Sequence, residues 1–303
     1  MKDLNNLTVV VVTYLTKRNI LLKCLESINK KVKIVIIENS EKFKDKELFL
    51  KKFPNLRVLC SGSNMGYGHG NNFGLTSIKT QYALILNPDI VCGKKLFIHI
   101  NKILKKKKNF FIIGCQYLYD KIFMPAGFFD KKKNQMYRKK FLKKKFHSLT
   151  RVDWVSGCSM LINLNKFKDK NIFDSNFFLF FEELDLCKSI INKGGFIYSS
   201  SDLLVHHLHS KGSIGSNINL KTDFIKMRNW HWTWSLFYFY KKNYNYYYAF
   251  FKTFGKLLKF FFKSIYFTII FDNDKKYKYL YGFFGLFSSL IGRKSSYRGN
   301  FSK

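Results

Sequence analysis

The run "FFEELDLC" places Glu182, Glu183 and Asp185 directly after an aromatic stretch. Carboxylates set against apolar surface and against one another hold protons more tightly, which suits a general base acting on a hydroxyl. The same acids also suit the first turn of a helix, where the dipole favours each by about 0.3–1 kcal/mol. "VHHLHSKGS" groups His206, His207 and His209 at the end of an apolar run. On a strand His207 and His209 share one face and His206 takes the other. In a chain with seven histidines this cluster is a candidate for metal ligation. A third stretch, "SNMGYGHGNNFG" (63–74), holds four glycines and three asparagines and invites comparison with the dinucleotide fingerprint G-x-G-x-x-G. It misses that pattern, because Asn71 and Phe73 stand where the last glycine belongs after Gly66 and Gly68. Asp89, 19 residues past Gly70, keeps a ribose-binding spacing, but the loop follows the third apolar run rather than the first.

The elements that must position these residues are legible as short β-branched or Leu-rich runs: "LTVVVVTY" (7–14), "VKIVIIE" (32–38), "LRVLC" (56–60) and "YALILN" (82–87). Each reads as a buried parallel strand. Mixed stretches of helical length separate them, so the first ninety residues spell β-α-β-α-β-α-β and predict an open doubly wound sheet. Ligands bind such sheets beyond the carboxyl ends of the strands. There lie Thr13 and Tyr14, then Glu38-Asn39-Ser40, then Asn64 to Asn72, then Asn87-Pro88-Asp89. Four polar strand ends in succession predict one binding edge. Further on, "WVSGCSMLI" reads as a strand with a glycine turn. A helix is expected from about Phe181 to Gly194.

The 54 Lys and Arg against 19 Asp and Glu give a net charge of +35, which favours polyanionic partners without choosing among nucleic acid, anionic lipid and phosphorylated glycan. Part of the excess is compositional drift, since Lys, Phe, Ile, Asn and Tyr are all abundant and Pro numbers three. Nine of the fifteen residues from Lys131 to Lys145 are basic, as a solvated face or an anionic lipid contact would be. Six single cysteines without a C-x-x-C pair suggest a reducing compartment, and the N-terminus reads as a first strand rather than a signal peptide. A cytoplasmic protein is expected. Beyond about residue 216 the chain turns aromatic and basic. Its longest uncharged apolar stretch, "YLYGFFGLFSSLIG", has 14 residues, too few to span a bilayer. In "YYYAFFKTFGKLLKFFFKSIYFTIIF", Lys252, Lys256, Lys259 and Lys263 step by 4, 3 and 4 and line one side of a helix whose remainder is apolar. That pattern fits a segment lying in a membrane interface, or a helix packed on the main domain with its lysines outward.

Taken in order, "TVVVVTY", "IENS", "NMGYGHGNNFG", "LILNPD", "WVSGCSMLI", "FFLFFEELDLC" and "VHHLHSKGS" resemble the inverting family 2 glycosyltransferases of the GT-A fold, and within them the rhamnosyltransferase-like subgroup of bacterial surface polysaccharide synthesis. The resemblance covers roughly residues 7–230 and includes "MRNW" around Arg228. It implies an α/β fold, a GT-A-type Rossmann-like, mostly parallel sheet with helices on both faces, over residues 1–215. A basic aromatic helical segment follows over 216–303. It implies that Thr13, Tyr14 and Glu38 hold the nucleoside and that Asn64, Gly66 and Asn72 line the diphosphate and sugar pocket. Asn87-Pro88-Asp89 stands at the D-x-D metal motif but keeps only the last acid, leaving Asp89 as metal ligand. His206 is the implied second ligand, with His207 or His209 as register alternatives. Glu183 takes the position of the catalytic base, with Glu182 and Asp185 as alternatives. The implied cofactor is Mg²⁺ or Mn²⁺ with a dTDP- or UDP-sugar donor. The implied acceptor is a lipid-linked or lipid-anchored glycan at the inner face of the cytoplasmic membrane. A non-catalytic membrane scaffold and a basic nucleic-acid-binding protein are the competing readings; the latter leaves the acid and histidine clusters unexplained.

Overall fold

The computed structural model describes residues 2–106, 109–118, 124–142, 148–208 and 218–299. In chain order they form β1 (Leu7–Thr13), α1 (Arg18–Glu26), β2 (Lys33–Glu38), α2 (Lys46–Lys52), β3 (Leu56–Cys60), α3 (Tyr67–Thr76), β4 (Tyr82–Leu86) and β5 (Ile90–Cys92). Then come α4 (Leu96–Lys106), β6 (Ile112–Tyr117), β7 (Ala126–Gly127), α5 (Lys131–Leu142), β8 (Leu149–Val152), β9 (Trp154–Val155) and β10 (Ser159–Asn163). The chain continues through α6 (Glu182–Asn192), β11 (Ile197–His207), α7 (Ile218–Asn243), α8 (Tyr246–Ile269) and α9 (Asn273–Leu290). The basic run ends with residues 143–145 outside the described residues.

Two compact units arise: Met1–Phe173 with Leu186–Ser213, and Asp174–Asp185 with Ile214–Lys303. The division falls inside α6.

The first unit is built on a sheet of order β3-β2-β1-β4-β10-β6-β11-β5, with β8 also paired to β11. From β3 to β4 every pairing is parallel. β10 then runs antiparallel between β4 and β6, and β5 and β8 are antiparallel to β11. The half of the sheet beyond β4 is therefore mixed, because β10 arrives without a crossover helix that would turn it parallel. Every residue of β1 is buried. Its alternate side chains feed two cores: Val9 and Val11 join Leu21 and Leu25 of α1, Phe49 of α2 and Ile100 of α4 on one face. Val10 and Val12 join Leu75 of α3 with Leu186 and Ile190 of α6 on the other. Helices thus cover both faces, as a parallel sheet requires.

The Gly-rich stretch forms the turn into α3 and the helix itself. Gly66, at φ 88, is its N-cap in the left-handed region. A Cβ on Gly70 would lie 2.8 Å from Val12 Cγ1, and one on Gly74 2.5 Å from Val10 Cγ1. These two glycines let α3 lie close against β1.

The second unit packs α7, α8 and α9 together around Phe237, Ala249 and Leu286. Its aromatic residues are ordered by stacking, as in the series Trp230, Trp234 and Tyr238. Buried His231 is held by Ser295 Oγ at 3.0 Å and by the Tyr297 carbonyl at 2.7 Å, and burial lowers its pKa to about 3. Among the described residues no helix is long and apolar enough to cross a membrane.

Candidate functional site

At the carboxyl end of the parallel strands the first unit gathers a connected polar group. Thr13 Oγ1 donates to Glu38 Oε2 at 2.6 Å, and Ser40 Oγ donates to Glu38 Oε1 at 2.8 Å. The register explains the first contact, because Thr13 and Glu38 are paired residues at the ends of β1 and β2. Burial raises the Glu38 pKa despite the two hydroxyl donors, which pull the other way. Tyr14 shares a side-chain hydrogen bond with Asn64; burial raises its pKa and the Glu38 charge adds to that. Leu15, immediately after, has φ 51, a left-handed backbone that is uncommon for a branched residue.

Asn64 Oδ1 accepts from the backbone N–H of Gly66 at 3.1 Å, and Asn39 Nδ2 donates to the Gly66 carbonyl at 2.9 Å. The loop before α3 is thereby tied to the end of β2. The Asn39 Oδ1 atom is buried without a hydrogen-bond partner among the described residues. Asn72 is occupied in holding the fold, since it donates to the Phe173 carbonyl at 2.8 Å and accepts from its N–H at 3.0 Å.

Asp89 follows β4, and β11 returns antiparallel beside β5, setting His207 opposite Ile90. This pairing brings His207 Nε2 to 3.2 Å from Asp89 Oδ2, both side chains being largely buried. His206, one position back, pairs with Val91 and is exposed. His209 lies outside the described residues. Buried Asn87 Oδ1 has no hydrogen-bond partner among the described residues. No group of three or more His, Cys, Asp or Glu is arranged to hold a metal among the described residues. A carboxylate facing an imidazole suits a divalent ion that takes its other ligands from a diphosphate and water.

The second unit carries the acids that start α6. Phe180 and Phe181 precede them at φ 70 and φ 68, two consecutive left-handed bulky residues costing about 1–3 kcal/mol each. The strain is held by packing: Phe181 lies against Trp232 and Phe239, and the Arg228 guanidinium sits 5.5 Å from the Phe180 ring. Glu182 is buried, its Oε2 lacks a hydrogen-bond partner among the described residues, and burial with the neighbouring Glu183 charge raises its pKa well above the usual carboxylate range. Glu183 is partly exposed. Asp185 has a different environment: Lys242 Nζ reaches its Oδ2 at 2.7 Å and Asn243 Nδ2 its Oδ1 at 2.9 Å. Lys242 also holds Asp174 at 2.6 Å. Asp185 is thereby tied to α7 through two side chains.

Two participants lay beyond sequence reading: Lys242 and Asn243 gave no signal, being 57 and 58 residues from Asp185. Asn39 was placed at the polar edge, but its tie to the Gly66 loop was not legible.

Comparison with known proteins bears on the fold and the family. The description "Glycosyl transferase family 2" matches residues 8–167. Among curated proteins, the "Rhamnosyltransferase WbbL" of Escherichia coli is 26% identical over 230 residues, 69% of this chain and 83% of that protein. The "Low-salt glycan biosynthesis hexosyltransferase Agl10" of Haloferax volcanii is 26% identical over 193 residues, 61% of each. Among solved structures, GalNAc-T7 with UDP, GalNAc and Mn²⁺ aligns with a TM-score of 0.53 at 14% identity, covering 77% of this chain and 50% of that one. This chain therefore spans about half the length of the GalNAc-T7 chain. The mannosyltransferase PcManGT from Pyrobaculum calidifontis, in complex with GDP-Man and Mn²⁺, aligns with a TM-score of 0.51 at 11% identity, covering 94% and 87%. The fold is that of the GT-A glycosyltransferases. With a family match across more than half its length, on the sheet that carries Thr13, Glu38 and Asp89, the chain belongs to glycosyl transferase family 2.

Proposed function

We propose that this glycosyltransferase moves a rhamnose-like sugar or a hexose from a dTDP- or UDP-linked donor to a hydroxyl of a lipid-linked or lipid-anchored surface glycan, with inversion at the anomeric carbon. The observation that carries this reading is the meeting of Asp89 and His207 at the edge of a family 2 sheet. Thr13, Tyr14 and Glu38 hold the nucleoside, the buried Glu38 carboxylate orienting ribose or base through its hydrogen-bonded frame. Asn64 and Asn39 fix the Gly66 loop, whose backbone lies beside the diphosphate.

The Asp89–His207 pair and the unpartnered Asn87 oxygen fit a divalent ion such as Mg²⁺ or Mn²⁺. When bound, the ion offsets negative charge on the departing diphosphate. Glu183 takes the proton from the acceptor hydroxyl as that oxygen attacks the anomeric carbon from the face opposite the diphosphate. A single displacement of this kind inverts the centre. The enzyme works at the inner face of the cytoplasmic membrane, where such acceptors are presented.

The test is a thermal-shift and transfer screen of dTDP- and UDP-sugars with Mg²⁺ or Mn²⁺, using a membrane extract as acceptor. One donor should raise the melting temperature and be consumed. Asp89→Asn should lose the metal-dependent part of that shift. If no donor stabilises the protein and none is turned over, the reading fails.

A further inference from the structure

α8 carries apolar side chains on two sides, one packed and one exposed. Its buried positions, Ala249, Thr253 and Ser264, are small and lie within about 40° of Thr253 at 100° per residue. Leu257, Phe260 and Phe267 flank that seam and pack toward α7 and α9, whereas a second set of large apolar residues points away from it: Phe251, Leu258, Phe262, Ile265 and Ile269 fall between about 120° and 180° from it. Phe251 is 77% exposed, Phe262 63% and Ile269 68%. At the end of the helix Phe271 is 87% exposed with φ 57, a left-handed phenylalanine that buries almost nothing.

The lysines form the flank. Lys252, Lys256, Lys259 and Lys263 lie between about 240° and 300°, beside the apolar face rather than opposite it. Lys252, Lys256 and Lys263 sit over the rings of Tyr248, Trp232 and Tyr279 at 5.4, 4.2 and 5.2 Å, which holds the ammonium groups on that side. The 24 residues of α8 include no Asp or Glu. An apolar face bordered by cations and free of acids complements a bilayer of anionic phospholipid: rings enter the acyl boundary while ammonium groups meet phosphates.

We infer that α8 and Phe271 form a docking surface for an anionic lipid bilayer, with the helix axis in the membrane plane and Phe251, Phe262 and Phe271 as the inserted anchors. This sharpens the membrane placement proposed above by naming the surface and its lipid partner, and it stands apart from the chemistry of transfer.

The experiment is co-sedimentation of the full chain with vesicles of phosphatidylcholine alone or mixed with phosphatidylglycerol, at low and high salt, with donor-nucleotide binding read in the same preparations. The wild type should partition onto the anionic vesicles and be weakened by salt. Phe251→Ser with Phe262→Ser and Phe271→Ser should lower partitioning roughly tenfold or more while donor binding persists. Lys252→Glu with Lys259→Glu should remove the preference for anionic vesicles. Equal binding to neutral vesicles, or a triple phenylalanine variant that partitions like the wild type, overturns the inference. So does sedimentation velocity showing a dimer that the triple variant dissolves, since a second copy then covers the face. Any of these, with donor binding and turnover intact, leaves the transferase reading standing.

Discussion

The carboxylates at the strand edge of the first unit and those at the start of α6 in the second have the same chemistry and opposite company. Glu38 is framed by two hydroxyl donors and Asp89 faces an imidazole. At α6 one acid, Asp185, is neutralised by Lys242, while Glu182 is buried against apolar surface with a like charge next in sequence. Hydroxyl and imidazole partners leave a carboxylate able to bind; an ammonium partner turns it into a structural tie; an apolar wall with a like charge turns it toward holding a proton. Residue type alone separates none of these roles.

The largest expected effect tests the base. Glu183→Gln should lower the turnover number by about a thousandfold while donor-nucleotide affinity, measured by calorimetry, stays within about twofold. Retained turnover would move the base to Glu182 or Asp185. A second substitution attacks the clamp: Lys242→Ala strands Asp174 and Asp185 and should cost about 1–2 kcal/mol in urea unfolding. That figure is discounted from a fully buried pair because the Lys242 side chain is 38% exposed. Unchanged stability would return Asp185 to the pool of free acids. For the strand edge, Gly74→Ala should cost about 1–3 kcal/mol, since its Cβ meets Val10. A variant that keeps its stability but loses donor binding would make this glycine part of the ligand site instead.

The smallest effect is a difference in pH slope. Burial and Glu183 raise the folded pKa of Glu182, so folding binds a proton there. Its contribution is fully favourable below the ordinary carboxylate pKa and is lost as pH rises toward the raised value. Asp174 behaves oppositely. Burial pulls its pKa up, but Lys242 and Asn176 hold it below the usual value, so the stability it adds is present above that value and lost as pH falls through the lowered one. Glu182→Gln should therefore raise the melting temperature more at pH 8 than at pH 5. An equal shift at both would contradict the proton-holding environment.

Much of the fold was legible because parallel strands buried on both faces must be continuous apolar runs, and β1 to β4 are such runs. The ends of those runs marked the polar edge for the same reason. The direction of β10 was not legible, since an apolar run carries no sign of which neighbour it joins. Nor was the packing role of "GHGNNFG": nothing in its spacing shows that Gly70 and Gly74 let α3 lie against β1.

The chain by itself gave the resemblance to its family, the order of its first four strands and three helices, and the α8 pattern of lysines beside aromatics, because these are properties of spacing along one polymer. Which histidine meets Asp89 was decided only by the antiparallel return of β11 beside β5, a pairing across more than a hundred residues in which a shift of one position would change the face. The environment of Asp185 was likewise decided by α7, which arrives with Lys242 long after α6 is made. Spacing fixes what a side chain can reach within its own element; charge, burial and partners come from elements remote in sequence, and those set the proton affinity on which the chemistry depends.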